Sequence, residues 1–369
     1  MMIGASIASH DAFLRAELGD EVVDEGLAEK RRKMATSPFA FLRASYFRWA
    51  ETIAEVAPSV MDAPSVLAVG DIHLENFGTW RDADGRLVWG VNDVDEAADM
   101  PWTLDLVRLA TSALLATREA DASAIAARLV EGYRSGLAAP RAYVLDREHA
   151  WLREALIVPE AERAAFWTKL AKKRQRFERL APAKRPPLWP RYRDAAMAAL
   201  PPGAGPPALW YRSAGLGSLG RPRWVAEAEW RGDIVLREAK AVIPSAWTRL
   251  PGRGGRAIRC VEIATGRFRA PDPWYAVADG VAVRRLSPNS RKINAASPEG
   301  EEGGTGLALL LGRDMLLAMG AELAAIHLGR GDHGGAIGAD LARRERRWLA
   351  DAATRAAAAV ERDFEDFAA

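Results

Sequence analysis

Cysteine and long apolar runs are scarce in this chain of 369 residues. Its one cysteine, Cys260, excludes an internal disulfide and a cysteine-rich zinc site, and it is typical of a reducing cytosol. The most apolar stretch, residues 307–328, is interrupted by charged residues such as Arg313 and Glu322. That spacing favours an amphipathic or buried helix over a membrane span. We therefore predict a cytoplasmic protein with no membrane span.

The chain also lacks an excess of charge of either sign. It has 51 Lys and Arg against 49 Asp and Glu, for a formal net charge of +2. Such a balance does not indicate a general nucleic-acid binder, so no nucleic-acid partner is expected. Hydrophobic residues make up 49% and charged residues 27%, as in ordinary globular proteins. The length allows two or three lobes around a large core.

The apolar patterns divide the chain into three regions of different character. Residues 1–207 are predicted to be mainly helical, with two short strands, and they end in the linker-like "PPGAGPP". Residues 208–295 have a strand-rich pattern, and residues 296–369 contain two long helical stretches that we expect to pack on the first region. The sequence therefore predicts an α+β protein with a helical lobe, a β-rich lobe and C-terminal helices.

Acidic and amide side chains follow both strands of the first region. In "VLAVGDIHLENFG", Asp71 ends a buried strand and Asn76 follows five residues later. In "NDVDEA", Asp93 and Asp95 lie two residues apart and so face the same side of an extended chain. Unpaired carboxylates would repel each other, whereas Mg²⁺ takes carboxylate and amide oxygens together with phosphate oxygens. We therefore predict a magnesium–phosphate site with Asn76, Asp93 and Asp95 as candidate metal residues.

Two further residues near this cluster are predicted to support it. His73 is interpreted as a packed, hydrogen-bonded histidine that orients the loop, in preference to a metal ligand. Asp105 lies at the start of a predicted helix, where it can cap that helix or accept hydrogen bonds from the Asp71 loop.

A glycine-rich segment, "GLGSLG" at residues 215–220, lies in the β-rich region. Its spacing matches the dinucleotide-binding pattern, but that motif requires a helix after the glycines, and here a strand-like segment follows. A glycine loop between two antiparallel strands is the arrangement that covers nucleotide phosphates in protein kinases. We assign Gly215, Gly217, Ser218 and Gly220 to nucleotide binding.

A lysine ends the third strand of this region. Lys240 closes "DIVLREAK", where a kinase-like site needs a cation for the α- and β-phosphates. Glu262 lies on the next predicted helix, spaced to reach back and orient that lysine. The alternative is that Lys240 is a solvated charge on an unrelated β domain.

The motifs together resemble a known group of enzymes. "GDIHLENFG", "NDVDEA" and "DLVRLA" resemble the catalytic core of the aminoglycoside phosphotransferase and choline kinase group, within the protein-kinase-like superfamily. The chain is more similar to an uncharacterised bacterial family, domain of unknown function 2252, over roughly residues 30–335. The features that carry this similarity are "KMATSPFAFLR", "GDIHLENFG", "NDVDEA", "GLGSLG", the lysine of "AKAVIPS" and "ELAAIHLGRGD".

The resemblance implies a role for each residue of the acidic cluster. Asp71 matches the catalytic base, and Asn76 and Asp93 match the two metal ligands. Asp105 matches the aspartate that buttresses the catalytic loop, and Asp95 is a possible auxiliary group. One position departs from the group's pattern, since Val69 replaces the usual histidine before the Gly-Asp pair.

The resemblance also implies that Lys240 binds the nucleotide phosphates and that Glu262 is its partner. In kinases these elements precede the catalytic aspartate, whereas here they follow it by more than a hundred residues. Circular permutation of a bilobal kinase-like fold explains this order, because site roles depend on positions in space. The segment after Glu262, "IATGRF", departs from the helix expected in the closer family.

These observations predict an ATP- and Mg²⁺-dependent phosphotransferase that acts on a hydroxyl of an unidentified acceptor. Two alternatives remain open. In the first, the protein has the same fold but transfers a nucleotidyl group or senses nucleotides as a pseudokinase; the second has different chemistry. A metal-dependent phosphoester hydrolase that uses Asp71, His73, Asp93 and Asp95 would need neither ATP nor the glycine loop.

Overall fold

The computed structural model describes residues 2–295 and 306–369 and shows a mixed α+β fold with several small sheets. The predicted C-terminal region begins at residue 296, and its first ten residues, 296–305, lie outside the described residues. Within the described residues, no helix has both the length and the apolar character needed to cross a membrane.

The α-helices of the described ranges are α1 (Ile3–Leu18), α2 (Asp24–Met34), α3 (Pro38–Ala44), α4 (Tyr46–Val56), α5 (Thr103–Ala116), α6 (Ala122–Ala138), α7 (Ala150–Leu156), α8 (Glu160–Glu178), α9 (Pro190–Ala198), α10 (Cys260–Ala264), α11 (Gly306–Leu310), α12 (Arg313–His327), α13 (Gly334–Arg343) and α14 (Trp348–Ala368). Over the same ranges the strands are β1 (Ser65–Ala68), β2 (Phe77–Arg81), β3 (Leu87–Val91), β4 (Ala98–Pro101), β5 (Tyr143–Val144), β6 (Ala208–Tyr211), β7 (Arg223–Trp230), β8 (Asp233–Ala241), β9 (Ala276–Ala278) and β10 (Val281–Arg285).

The sequence "SPFAFLRASYFRWAETIAEV" predicts one helix with Ser37 as its N-cap and Pro38 at its first position, and this start is confirmed. The Ser37 hydroxyl accepts a hydrogen bond from the Ala40 N–H at 3.1 Å, which satisfies a free donor of the first turn. The single helix expected over residues 38–56 is instead divided into α3 and α4 at Ser45. The Ser45 hydroxyl donates to the Phe41 carbonyl at 2.6 Å, and the chain changes direction there.

The three sheets are small and antiparallel in every pair. β1 pairs with β4, and β2, β3 and β5 form a second sheet in that order. The third sheet has the order β6-β7-β8-β10-β9. The glycine loop joins β6 to β7, and a tight turn with positive φ at Arg231 and Gly232 joins β7 to β8.

The helical core is built by close contact between helices that are far apart in sequence. α12 packs along α6, where a Cβ atom at Gly132 would lie 2.0 Å from the Leu317 carbonyl oxygen. A Cβ atom at Gly320 would lie 2.2 Å from the Leu129 carbonyl oxygen, so both glycines are needed for this approach. α14 packs against α5 and contributes to the same core.

A second core lies between the five-stranded sheet and segments from the predicted first region. Phe13 and Leu14 of α1 and Tyr192 of α9 pack with Trp224 and Ala239 of the sheet. The sheet is therefore covered by chain that precedes it, and this packing fixes it beside the β1–β4 region.

Two predicted helices differ in their bounds from the structure. The stretch "PWTLDLVRLATSALLATRE" predicts a helix that begins with Pro101, whereas Pro101 is the last residue of β4 and α5 begins at Thr103. An edge strand tolerates this proline, and pairing with β1 satisfies its neighbours. The sequence also predicts one helix over residues 338–366, which is instead divided into α13 and α14 by an irregular segment at 344–347.

Candidate functional site

A cleft of about 460 Å³ lies between the helical part and the five-stranded sheet. Its walls include Asp71, Asn76 and Asp93 from one side and Gly215 and Gly217 from the other. Segments that are more than 100 residues apart in sequence therefore meet at one cavity.

The loop that carries Asp71 is held from below by Asp105. The Asp105 carboxylate accepts hydrogen bonds from the N–H groups of Val69 at 2.8 Å and Gly70 at 2.9 Å. His327 Nε2 lies 3.0 Å from the same carboxylate, and its Nδ1 lies 2.8 Å from the Tyr133 hydroxyl. All three side chains are fully buried. This chain links the loop to α5, α6 and α12.

His73 contributes to the shape of the same loop. Its Nδ1 accepts a hydrogen bond from the Glu75 N–H at 3.2 Å and so caps the short turn that ends at Asn76. Burial lowers the pKa of His73 well below its usual value, and the neighbouring Arg43 and Lys292 lower it further. The ring is therefore a neutral acceptor at physiological pH.

Asp71 is paired with a buried arginine that the sequence analysis did not identify. Arg108 Nη2 donates to Asp71 Oδ1 at 2.5 Å, and its guanidinium lies over the rings of Tyr46 and Trp49. Burial raises the pKa of Asp71, while the charge of Arg108 opposes that rise. The pair fixes the orientation of the carboxylate at the cleft wall.

The structure brings Asn76 and Asp93 together. Asn76 Nδ2 donates to the carbonyl oxygens of Asp71 at 2.9 Å and Asp93 at 3.0 Å. Because both amide hydrogens have acceptors, the orientation of the side chain is defined. Asn76 Oδ1 is buried and has no hydrogen-bond partner among residues 2–295 and 306–369. Buried polar atoms usually have a hydrogen-bond partner, so this free acceptor marks a position where a bound ligand would supply the missing contact.

Lys240 reaches the same cluster from β8. Its Nζ lies 3.1 Å from Asp93 Oδ1 and 2.7 Å from the Asp95 carboxylate. Burial would raise the pKa of Asp93, but the charges of Lys240 and then Lys292 hold it below its usual value. Burial raises the pKa of Asp95, and the charge of Asp93 adds to this effect, although Lys240 opposes it.

The donor set at this end of the cleft fits a magnesium ion. Asn76 Oδ1 and the Asp93 carboxylate supply one amide and one carboxylate oxygen, and Mg²⁺ commonly takes one or two such ligands with water and phosphate oxygens. Asp95 lies behind them, beside Lys240 and within 4.0 Å of Arg221. The described part of the chain contains no group of three or more His, Cys, Asp and Glu side chains arranged to hold a metal.

The face of the sheet at the cleft is rich in arginine. Glu238, two residues before Lys240 on β8, is fully buried and contacts three guanidinium groups, those of Arg212, Arg223 and Arg284. Burial would raise the pKa of Glu238, but these arginines lower it well below its usual value. One carboxylate thus faces three cations, so this wall has an excess of positive charge.

The glycine loop lies directly against the Asp71 loop. A Cβ atom at Gly217 would lie 3.3 Å from Asp71 Oδ2 and 3.2 Å from the Arg43 carbonyl oxygen, so only glycine fits without a shift. Ser218 Oγ accepts a hydrogen bond from Arg223 at 2.7 Å, while Gly215 also lines the cleft.

The fourth residue assigned to nucleotide binding, Gly220, serves packing instead. Its φ is +94°, and a Cβ atom there would lie 2.3 Å from Leu27 Cδ2 on α2. Its carbonyl accepts a hydrogen bond from the Val23 N–H at 2.9 Å. Gly220 therefore holds the end of the loop to the N-terminal helices.

Glu262 is placed differently from the prediction. The structure pairs it with Arg259 at 2.8 Å and with Arg330 at 3.6 Å, whereas Lys240 pairs with Asp93 and Asp95. α10 buries Cys260 and Ile263, and residues two apart on a helix do not share a face, so Glu262 points away from Lys240.

Burial raises the pKa of the Cys260 thiol to about 12.

Residues 23–182 match the family model described as an uncharacterized protein conserved in bacteria (DUF2252). The match covers less of the chain than the roughly 30–335 expected from the sequence. It contains Asp71, Asn76, Asp93 and Asp105 and ends before the glycine loop. No curated protein matches the chain, and no solved structure matches it.

The DUF2252-matching segment contains two buried cations that sequence reasoning missed. Arg108 could have been found, since it lies three residues after Asp105 on a helix whose first part is otherwise apolar and buried. Lys30 of α2 lies in the charged run "EKRRK", but it comes three residues after Leu27 and four before Met34, and this spacing places it on the buried face of the helix. It is only 6% exposed, and its Nζ donates to the Gly217 carbonyl at 3.0 Å.

Proposed function

We propose that this protein is an ATP- and Mg²⁺-dependent phosphotransferase with a circularly permuted, bilobal kinase-like fold. One observation carries the proposal: the glycine loop lines the same cleft as Asp71, Asn76 and Asp93, and Lys240 contacts Asp93 from behind the cleft wall. Lys240 Nζ lies 3.1 Å from Asp93 Oδ1 across 147 residues of sequence. A nucleotide-covering loop, a phosphate-binding cation and metal-ligating oxygens are the parts that phosphoryl transfer requires.

The order of elements in the β-rich part supports the same interpretation. A strand, a glycine loop, a strand, a tight turn and a strand that ends in Lys240 follow one another from β6 to β8. In kinases the corresponding strands precede the catalytic loop. Here α1 and α9 pack on the sheet and bring it to the Asp71 loop, so chain order is no obstacle to a shared cleft.

In the proposed reaction, the acceptor hydroxyl attacks the γ-phosphorus of ATP. A new oxygen–phosphorus bond forms, the bond to the β-phosphate oxygen breaks, and ADP leaves with the electron pair. Asp71 orients the hydroxyl and accepts its proton, and Arg108 keeps the carboxylate in place. Bound Mg²⁺ would offset phosphate charge from a position held by Asn76 and Asp93.

The cations of the sheet would bind the phosphate chain. Lys240 is already within 3.1 Å of Asp93, so its ammonium borders the proposed metal position. Arg223 and Arg284 face the same space with charge that Glu238 only partly offsets. Most of the rate would come from positioning and charge neutralisation, as is usual for phosphoryl transfer.

The first test is nucleotide binding by Asp93→Asn. Wild type should bind ATP more tightly with Mg²⁺ than without it, as measured by isothermal titration calorimetry. The variant should lose that difference, while Lys240 retains Asp95 as a partner. Asp84→Asn, at an exposed turn, is the matched control and should behave as wild type. Equal binding of Mg²⁺–ATP by Asp93→Asn and wild type would contradict the proposal.

The second test identifies the products of slow ATP turnover in the absence of acceptor. Release of ADP and inorganic phosphate, abolished by Asp71→Asn with nucleotide binding retained, is the expected result. Release of pyrophosphate would instead show nucleotidyl transfer. Hydrolysis of p-nitrophenyl phosphate without ATP, unaffected by Lys240→Met, would show a metal-dependent hydrolase.

A further inference from the structure

Lys30 is a buried cation without a carboxylate partner in the described parts of the chain. Its side chain lines the cleft, and its Nζ donates to the Gly217 carbonyl at 3.0 Å. The Nζ atom also lies 5.7 Å from the centre of the Phe47 ring. No Asp or Glu oxygen among residues 2–295 and 306–369 comes within 4.0 Å of it. A buried ammonium in this setting is costly unless an anion joins it.

Lys30 is connected to the proposed reacting centre through the glycine loop. Gly217, whose carbonyl Lys30 holds, is the residue that lies against Asp71 Oδ2. The charge of Asp71 is also the strongest favourable influence on the protonated form of Lys30. The ammonium is therefore held at the junction of the glycine loop and the carboxylate, where the transferred phosphoryl group would pass.

The ammonium of Lys30 has donors left for an anion. Among the described residues its Nζ hydrogen-bonds only to the Gly217 carbonyl, whereas an ammonium group can donate three hydrogen bonds. Asp71, beside Gly217, lines the same cleft with a side chain that is 22% exposed, so a phosphoryl group has access to it with the loop in place. The remaining N–H groups of Lys30 would then donate to the phosphoryl oxygens.

We propose that Lys30 is a further catalytic residue, whose ammonium binds the phosphoryl group while it passes from ATP to the acceptor oxygen. This inference rests on the proposed phosphotransferase function. In the transfer step the bond from the γ-phosphorus to the ADP oxygen breaks and the bond to the acceptor oxygen forms. Negative charge on the three remaining oxygens is offset by Lys30, in addition to Lys240 and the metal. The cation comes from α2, outside the motifs that resemble kinases.

The competing explanation is that Lys30 only ties the glycine loop to α2. A tie of that kind needs a hydrogen-bond donor, which a neutral amide supplies, whereas the proposed role needs the positive charge. Lys30→Gln, Lys30→Met and Lys30→Arg therefore separate the two explanations. Lys33→Met is the matched control, since Lys33 lies on the same helix with a half-exposed side chain paired to Glu29.

The experiment compares the affinity of each full-length variant for Mg²⁺–ADP with and without aluminium fluoride, which mimics the transferring phosphoryl group. Wild type and Lys33→Met should bind the aluminium fluoride complex more tightly than Mg²⁺–ADP alone. Lys30→Gln and Lys30→Met should keep their affinity for Mg²⁺–ADP and lose roughly tenfold to hundredfold in the aluminium fluoride complex. Lys30→Arg should retain part of the gain, because it keeps the charge.

Three results would overturn the inference. Lys30→Gln and Lys30→Met could keep the full gain from aluminium fluoride, which would show that the charge is not used. Lys30→Met alone could lose affinity equally for both complexes while Lys30→Gln binds both as wild type does, as a structural tie predicts. Wild type could also bind Mg²⁺–ADP with the same affinity in the presence and absence of aluminium fluoride. A wild type that binds no Mg²⁺–nucleotide at all would instead remove the proposed function itself.

Discussion

Single side chains at the cleft are held in states that cost folding free energy. Burial, and then the nearby charge of Arg221, lowers the pKa of Lys30 from its usual 10.5 to about 8. Asn76 Oδ1 is buried without a partner among the described residues. Groups of this kind are common where a ligand completes the site, because function and stability compete there.

The pKa of Lys30 leads to a stability prediction with a definite sign. The folded-state pKa is about 8 and the unfolded value is near 10.5, so the unfolded chain binds the proton more tightly. The lysine therefore destabilises the fold below pH 8, and this cost disappears as the pH rises through 8 to 10.5. Lys30→Met should raise the free energy of unfolding at pH 7 by up to roughly 3 kcal/mol, since each pKa unit corresponds to about 1.4 kcal/mol.

Urea unfolding of Lys30→Met and wild type at pH 7 and pH 10 measures this difference. The increase in the free energy of unfolding of Lys30→Met over wild type should be clear at pH 7 and small at pH 10. Lys33→Met should show little change at either pH. An equal gain at both values would mean that packing of the methionine, and not the ammonium, is responsible. A loss at pH 7 would mean that the hydrogen bond to Gly217 outweighs the cost of burial.

At the level of elements, the β6–β7 loop is shaped by contacts at both of its ends. Gly217 lies against Asp71 and Arg43, and Gly220 lies against Leu27. A larger residue at 217 must push backbone atoms of the Arg43 segment apart from the loop. We expect Gly217→Val to lower the free energy of unfolding by about 1–3 kcal/mol, as overpacking usually does.

Gly255→Val is the matched control for this prediction. No atom lies within 4 Å of a Cβ at that position, so the change should stay within about 0.5 kcal/mol of wild type. Urea unfolding measures both variants. A Gly217→Val protein as stable as wild type would show that the glycine loop does not rest on Asp71 in solution.

Sequence patterns predicted those parts of the site that depend on local order. The glycine loop between antiparallel strands, the lysine at the end of β8 and the Asp71–Asn76 loop follow from turn residues and strand alternation. The pairing of Arg223 with Lys240 on neighbouring strands could not be predicted from local sequence patterns, because it depends on the register between β7 and β8. Glu262 was misplaced because the helix α10 is short and only contacts decide which face it buries.

At the level of the whole molecule, the cleft depends on contacts between distant parts of the chain. His327, near the end of α12, bonds to Asp105 from 222 residues away, and Lys30 bonds to Gly217 from 187 residues away. Neither contact has a local sequence signal, so they could not be predicted from patterns. They show that the N-terminal helices, the sheet and the C-terminal helices all contribute to positioning the site.

This arrangement predicts how nucleotide binding should affect distant segments together. If Mg²⁺–ATP occupies the cleft between the Asp71 loop and the glycine loop, local opening of both loops should become less frequent. Hydrogen–deuterium exchange should therefore slow in residues 69–76 and 215–220 at the same time when Mg²⁺–ATP is added. Peptides from α14 serve as an internal reference, since none of the residues of this helix lines the cleft.

The pattern of protection distinguishes one shared cleft from two separate units. Slower exchange in 215–220 alone would mean that the sheet binds nucleotide as an independent β domain and that the resemblance of the acidic motifs is local. With Asp93→Asn, protection of both segments should weaken in parallel, because the metal–phosphate complex would bridge them through Asp93 and Lys240. Parallel loss is expected only if one bound ligand contacts both loops, so this measurement tests the permuted arrangement without knowledge of the acceptor.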